Sequence, residues 1–252
     1  RIEPMRDAVI CEPLRTPVGR YGGMFKDIPA AELAQAVLGE LLQRSQIDPA
    51  RVDDVIFGQC YPNGEAPAIG RIAALDAGLG VGVPGLQIDR RCGSGLQAVI
   101  DAAMRVQTGA CDLVLAGGAE SMSQAEHYVL GGRFGLRGDS SPLWDRIARG
   151  RITSGGKHHP VPGGMLETAE NLRREFAITR EAQDAWAVRS HQRAIAAQKA
   201  GLFAPELVPV KARSPSGPTV LMADEHPRHD ATMESLARLQ PVRAALDPAA
   251  TV

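Results

Sequence analysis

Four short apolar runs, DAVI (Asp7 to Ile10), VIFGQ (Val55 to Gln59), GLQID (Gly85 to Asp89) and DLVLAGG (Asp112 to Gly118), punctuate the first half of the chain. Between them apolar residues recur at helical spacing: Leu33, Val37, Leu38 and Leu41 form one stripe, and Leu96, Val99, Ile100 and Ala103 another. Runs this short, without polar alternation, read as strands covered on both faces. Strand alternating with amphipathic helix predicts an α/β architecture around a largely parallel sheet.

Beyond about Ser123 the texture changes. The stretch from Ser123 to Gly164 is rich in Gly, Ser, Pro and Arg and holds no sustained period, which predicts a long irregular excursion. Helices are predicted to resume over Thr168 to Phe176, and again from Thr179, a plausible N-cap, to Gly201, a plausible residue just past the helix end. The expected division is therefore an α/β domain over residues 1–122 and a helical, loop-rich domain over 123–252. No internal repeat is found.

Composition narrows the function classes. The chain has 252 residues, 44% hydrophobic and 23% charged, enough to bury a sizeable core. Its formal net charge of -1 gives no basic footprint for nucleic acid. No run resembles a signal peptide or a membrane span, which predicts a cytoplasmic protein without a membrane partner. The four cysteines, Cys11, Cys60, Cys92 and Cys111, contain no CxxC pair, and the six histidines contain no HExxH spacing, so no metal site is expected.

One cysteine stands apart. In Cys92-Gly93-Ser94-Gly95 a thiol lies where an apolar run ends and an amphipathic pattern begins. There it faces the positive end of a helix dipole and unpaired backbone N–H groups, both of which favour a thiolate. The flanking glycines would let the chain turn sharply and let a substrate approach. This is the arrangement of an activated nucleophile. A cysteine beside a tight turn is also a common packing residue.

RTPVGRYGG near the start, RRCGSGLQAV around Cys92, LAGGAESMS from Leu115, TAENL from Thr168 and DEHPRHDATMESLARL from Asp224 occur in this order. Together they resemble the N-terminal half of the thiolases, the acetyl-CoA acetyltransferase and 3-ketoacyl-CoA thiolase family. The resemblance implies a thiolase-like layered α/β domain with an inserted helical and loop domain that covers CoA and substrate. It also implies acyl transfer between CoA thioesters, by thiolysis of a 3-ketoacyl-CoA or condensation of acetyl-CoA, with Cys92 as the acyl-accepting nucleophile. The amide of Cys92 or of its neighbour would stabilise the developing oxyanion. Arg228 and Ser235 match positions that meet the nucleotide end of CoA, where an arginine can pair phosphate or stack on adenine. Read without the resemblance, Arg228 is a solvated helix-flanking side chain and Ser235 a helix cap. Met165 matches a methionine lining the acyl and pantetheine pocket, and is otherwise core filling. No cofactor is implied: acyl-CoA and CoA are the substrates, and the family assembles as homodimers or homotetramers.

Departures from the family pattern carry information. Gly164-Met165-Leu166 stands where short-chain biosynthetic members have His-Met-Gly, which removes the acetoacetyl-specific signature. The family's second half-repeat, with its Asn-Glu-Ala-Phe, Gly-His-Pro and Cys-x-Gly-Gly-Gly motifs, is not found in these 252 residues. The second α/β half is thus expected to be absent from this chain, and the chain by itself is expected not to turn over. Two other readings share the fold, a 3-ketoacyl synthase type of condensing enzyme and a non-catalytic binding or lipid-transfer module. GGAESMS and DATMESLARL count against the first, and the presence of Cys92 against the second.

Overall fold

The computed structural model describes residues 5–138, 140–161, 163–214 and 217–252. In chain order the elements are α1 (Ala30–Ser45), β1 (Asp54–Gly58), α2 (Ile69–Asp76), β2 (Gly85–Ile88), α3 (Ser94–Gln107) and β3 (Val114–Gly118). There follow β4 (His127–Tyr128), β5 (Trp144–Asp145), α4 (Arg146–Thr153), α5 (Gly164–Glu175) and α6 (Arg180–Lys199). Last come β6 (Val210–Ser214), β7 (Gly217–Leu221) and α7 (Met233–Ala237). Among the described residues no helix is long and apolar enough to cross a membrane.

The sheet is parallel, in the order β2-β1-β3, with Val55 opposite Gly85 on one side and Leu115 on the other. All five residues of β1 are buried, as an apolar run without alternation requires of a central strand. Its successive side chains go to opposite faces. Val55 and Phe57 join a core with Leu38 of α1 and Ile69 and Ala73 of α2, whereas Ile56 packs on Ala98 and Ala102 of α3. The result is a three-layer α/β/α arrangement.

Three of the four expected strands form. Asp7 to Ile10 does not. Val9 and Ile10 are 79% and 74% exposed, and among the described residues no strand lies beside them to accept a ladder, so an apolar run alone does not become a strand. The helix α2, the hairpin β6-β7 and the short strands β4 and β5 escape the sequence reading. Each is too short to show a period. In the second half, the N-cap at Thr179 is observed, its Oγ1 accepting from Ala182 N at 3.2 Å, and Gly201 takes the left-handed φ of +70° that follows α6.

The chain forms two compact units, one holding the described residues up to Ala125 together with Phe203–His226, the other Glu126–Leu202 with Pro227–Val252. The segment 203–226 packs with the first unit. Its attachment is both apolar and ionic. Val210 packs with Phe25, Ile28 and Leu33. Arg15 donates to Glu206 Oε1 at 2.6 Å and, through both terminal nitrogens, to Asp224 at 2.7 and 3.1 Å, while Glu225 Oε2 accepts from the amides of Arg20 and Met24 at 2.9 and 3.1 Å. Within the second unit, Glu170 is fully buried, paired with Arg173 and accepting from the amides of Thr251 and Val252 at 2.7 Å. Burial pushes its carboxyl up, but these donors outweigh burial and hold it below the usual range.

Burial likewise raises the Asp224 carboxyl, and Arg15 and the Val18 amide outweigh it, so its net shift is downward. A carboxylate lowered on folding stabilises above its unfolded pKa, about 3.9, and that contribution is lost as pH falls through the folded value. Asp224→Ala should cost about 1.5–3 kcal/mol near neutral pH, the range for hydrogen bonds to a charged group. Urea titrations should show the gap between the two proteins narrowing below about pH 4. A gap of unchanged size in acid would contradict the clamp.

Candidate active site

The geometry around Cys92 begins with two glycines. A Cβ on Gly58, at the end of β1, would lie 2.4 Å from Ser94 C and 2.6 Å from Gly95 N. On Gly118, at the end of β3, it would lie 3.0 Å from Gly58 O and 3.3 Å from Gly95 Cα. The first turn of α3 thus rests on the bare backbone of two strand ends. The close approach also explains which face of α3 is buried: Ser94, Ala98 and Ala102 are at 3%, 0% and 8% exposure, and Leu96 is at 68%.

Strand β2 passes into α3 through Asp89 to Gly93. Arg91 occupies the left-handed region at φ +52°, which for a residue with a Cβ costs about 1–2 kcal/mol. Its neighbours hold it there. Ser94 Oγ accepts from Arg90 N at 2.8 Å and donates to Arg91 O at 2.6 Å, and Asp89 Oδ1 accepts from Arg91 N at 2.9 Å. Gly93 itself has φ -88°. The sharp turn expected of the glycines is made by Arg91 instead, and a Cβ on Gly95 would meet only Gly117 O, at 4.0 Å.

Cys92 sits exposed in this turn, just before the N-cap of α3. The flanking amides are engaged: Arg91 N by Asp89, Gly93 N by Arg90 O at 3.1 Å and Ser94 N by Arg91 O at 2.9 Å. Of the donors considered for an oxyanion, this leaves the amide of Cys92 itself.

A second cysteine lies below the turn. Cys60 Sγ is 3.9 Å from Ser94 Oγ, its amide donates to Glu120 Oε2 at 2.7 Å, and its carbonyl accepts from Arg91 Nη1 at 3.0 Å. Burial, then the charge of Glu120, pushes the Cys60 thiol up to about 11. Burial also raises the Glu120 carboxyl, against the amides of Cys60 and Tyr61, with Asp89 adding to the rise. Next to Cys60, Gln59 is buried with no partner for Oε1 among the described residues. A cavity of about 720 Å³, lined among others by Leu33, Phe57, Val99, Leu115 and Glu120, does not include Cys92 in its wall.

The other site residues read from the sequence belong to the second unit. Met165 is in the first turn of α5 and 70% exposed. Arg228 is exposed; its backbone N donates to His191 Nδ1 at 3.1 Å, and its guanidinium makes no ion pair among the described residues. Ser235 completes a capping box with Thr232, its Oγ accepting from Thr232 N at 2.9 Å and facing the Asp230 and Thr232 carbonyls at 3.1 and 3.0 Å. Sequence reasoning missed Gly58, Arg91, Ser94, Cys60 and Glu120. The available signals were a buried-type strand closing on glycine and a carboxylate two residues past the paired glycines of β3.

Residues 8–246 match the N-terminal domain of thiolases. The chain belongs to the thiolase family. It is 42% identical over 250 residues to an acetyl-CoA acetyltransferase of Cupriavidus necator, covering 98% of this chain and 62% of the relative. It is 38% identical over 239 residues to the beta-ketothiolase BktB of the same organism, covering 94% and 59%. A crystal structure of the Bacillus anthracis acetyl-CoA acetyltransferase superimposes with a TM-score of 0.88 at 39% identity, covering 94% of this chain and 59% of that one. The chain thus spans about three fifths of the length of the thiolases it matches. The layered α/β fold expected from the motifs is the thiolase fold.

The glycine seat makes a direct prediction for this thiolase chain. Gly58→Ala should destabilise by about 1–3 kcal/mol or more, because its methyl group meets backbone that cannot swing aside. Gly39, inside α1, has nothing within 4 Å of its would-be Cβ, and Gly39→Ala should stabilise by about 0.5–1 kcal/mol. Thermal and urea midpoints of the two variants should move in opposite directions.

Proposed function

We propose that Cys92 accepts an acyl group from an acyl-CoA thioester. The observation that carries this reading is the exposed thiol on a pinned turn at the start of α3, with the neighbouring amides engaged and its own left to face an oxyanion. In the step itself the Cys92 sulfur attacks the thioester carbonyl, the carbonyl oxygen takes up the negative charge, and the carbon–sulfur bond to CoA breaks. The carbonyl re-forms as that bond breaks, the proton given up by the Cys92 thiol ends on the departing sulfur so that CoA leaves as the thiol, and the acyl group stays on Cys92. The names of the relatives, an acetyl-CoA acetyltransferase and a beta-ketothiolase, support CoA thioesters as the substrate class and acyl transfer as the reaction. For these residues the proposal is confined to acyl acceptance, since Gly-His-Pro and Cys-x-Gly-Gly-Gly, to which the family resemblance assigns activation of the nucleophile and transfer of the substrate Cα proton, do not occur among them.

In this reading Arg228 pairs the phosphate or adenine end of CoA, its exposed guanidinium being available for that contact. Met165, exposed on α5, lines the path of the pantetheine arm. Ser235 contributes through its cap, fixing the start of α7 just after the Arg228 segment. Acyl-CoA and CoA are the small-molecule partners, and self-association is proposed on the family pattern.

Two measurements test the proposal. Incubation with acetyl-CoA followed by peptide mass spectrometry should place an acetyl group on Cys92 and on none of Cys11, Cys60 and Cys111; Cys92→Ser should abolish it. An unmodified Cys92 in folded protein would overturn the reading. Arg228→Ala should weaken CoA binding about tenfold or more, from the roughly 1.5–3 kcal/mol of a charge-assisted hydrogen bond, and leave a pantetheine thioester lacking the nucleotide unaffected. Equal losses for both ligands would remove Arg228 from the site.

A further inference from the structure

We propose that Glu120 is a positioning residue for Cys92, holding the end of β1 so that the turn presenting the nucleophile cannot relax. The inference rests on the reading of Cys92 as the acyl acceptor. Its basis is convergence on Cys60. Glu120 Oε2 accepts the Cys60 amide at 2.7 Å. Cys60 in turn touches the turn on both sides of Cys92: its carbonyl accepts from Arg91 Nη1 at 3.0 Å, and its thiol lies 3.9 Å from Ser94 Oγ. Tyr61 adds a ring to the Arg91 guanidinium, 5.9 Å from its centroid. Arg91 is the residue held at φ +52°, and Ser94 is the one whose hydroxyl bridges Arg90 N and Arg91 O. The carboxylate thereby holds the residue on which both neighbours of the nucleophile lean. A half-buried acid beside Asp89 is an unfavourable choice for packing alone, whereas a backbone donor that must be held at one point suits a carboxylate.

What is required of Glu120 is reach and acceptor geometry. Glu120→Gln preserves both; Glu120→Asp keeps the charge and falls short by a methylene; Glu120→Ala removes the acceptor. The experiment compares iodoacetamide labelling rates at each cysteine by peptide mass spectrometry in the 252-residue chain and these variants. In the wild type Cys92 should label ahead of Cys11, the other exposed thiol. The Cys92 to Cys11 rate ratio should stay within about twofold in Glu120→Gln and fall about tenfold in Glu120→Asp and Glu120→Ala, with Cys60 still protected. A wild-type ratio in Glu120→Asp overturns the proposal. So does a loss in Glu120→Gln matching that in Glu120→Ala, which would make the charge rather than the geometry decisive. Rapid labelling of Cys60 reports unfolding: if Glu120→Ala unfolds, the Asp and Gln variants decide, and if Glu120→Asp unfolds too, Glu120 is a folding residue and the proposal fails. A wild-type Cys92 that labels fast and takes no acetyl group from acetyl-CoA would sink the acyl-acceptor reading and leave the positioning result standing.

Discussion

The contact on which the candidate site depends is between backbones. Gly58 and Gly118 let the first turn of α3 rest on the ends of β1 and β3 at distances that a single methyl group would occupy. Everything above that contact follows from it. Only small side chains fit beneath the helix, so Ser94, Ala98 and Ala102 form its buried face. Ser94, forced inward, has its hydroxyl where it can reach Arg90 N and Arg91 O. That pair of hydrogen bonds compensates Arg91 for its left-handed backbone, and Cys92 is carried outward as the next residue. Cys92 is exposed because its neighbours are not free to move.

A second constraint keeps the sheet's surroundings together across a long sequence separation. Arg15 and the amides of Val18, Arg20 and Met24 are held by Glu206, Asp224 and Glu225, from a segment that begins some two hundred residues later. Asp224 accepts from both terminal nitrogens of Arg15 and Glu225 from a pair of amides, while Glu206 takes the single bond from Arg15 Nε. The amides so held would otherwise need water, since this part of the first unit has no ladder to satisfy them. An excursion of the chain into a second unit can therefore be followed by a return to the first.

The parallel sheet, the two flanking helices α1 and α3 and the position of Cys92 were legible in the sequence, because periodicity reports directly on burial. The size of the buried side chains was not. Reading α3 by its large apolar residues picks out Leu96 and Ile100, yet these are 68% and 43% exposed, and the buried stripe is made of serine and alanine. Hydrophobicity ranks side chains by transfer free energy, but here the separation between helix and sheet selects them by volume. Asp7 to Ile10 shows the complementary failure: apolar character predicts a strand only where a neighbour supplies hydrogen bonds. Glu120 was visible only as part of a family motif, because its role depends on a contact with Cys60 across sixty positions. Ser235 was legible both as a cap and as a CoA contact; the structure shows the cap.

Two thiols meet the same serine neighbourhood, and their environments give them different chemistry. Cys60 is partly buried and faces the Glu120 carboxylate, both of which penalise a thiolate and raise its pKa to about 11. At neutral pH it stays protonated, a weak hydrogen-bonding partner for Ser94 and a poor nucleophile. Cys92 stands outside that pocket, exposed at the start of a helix. The Glu120 carboxylate thus holds the Cys60 amide and, after burial, adds to the rise of the Cys60 thiol, so that Cys60 and Cys92 stand in different environments.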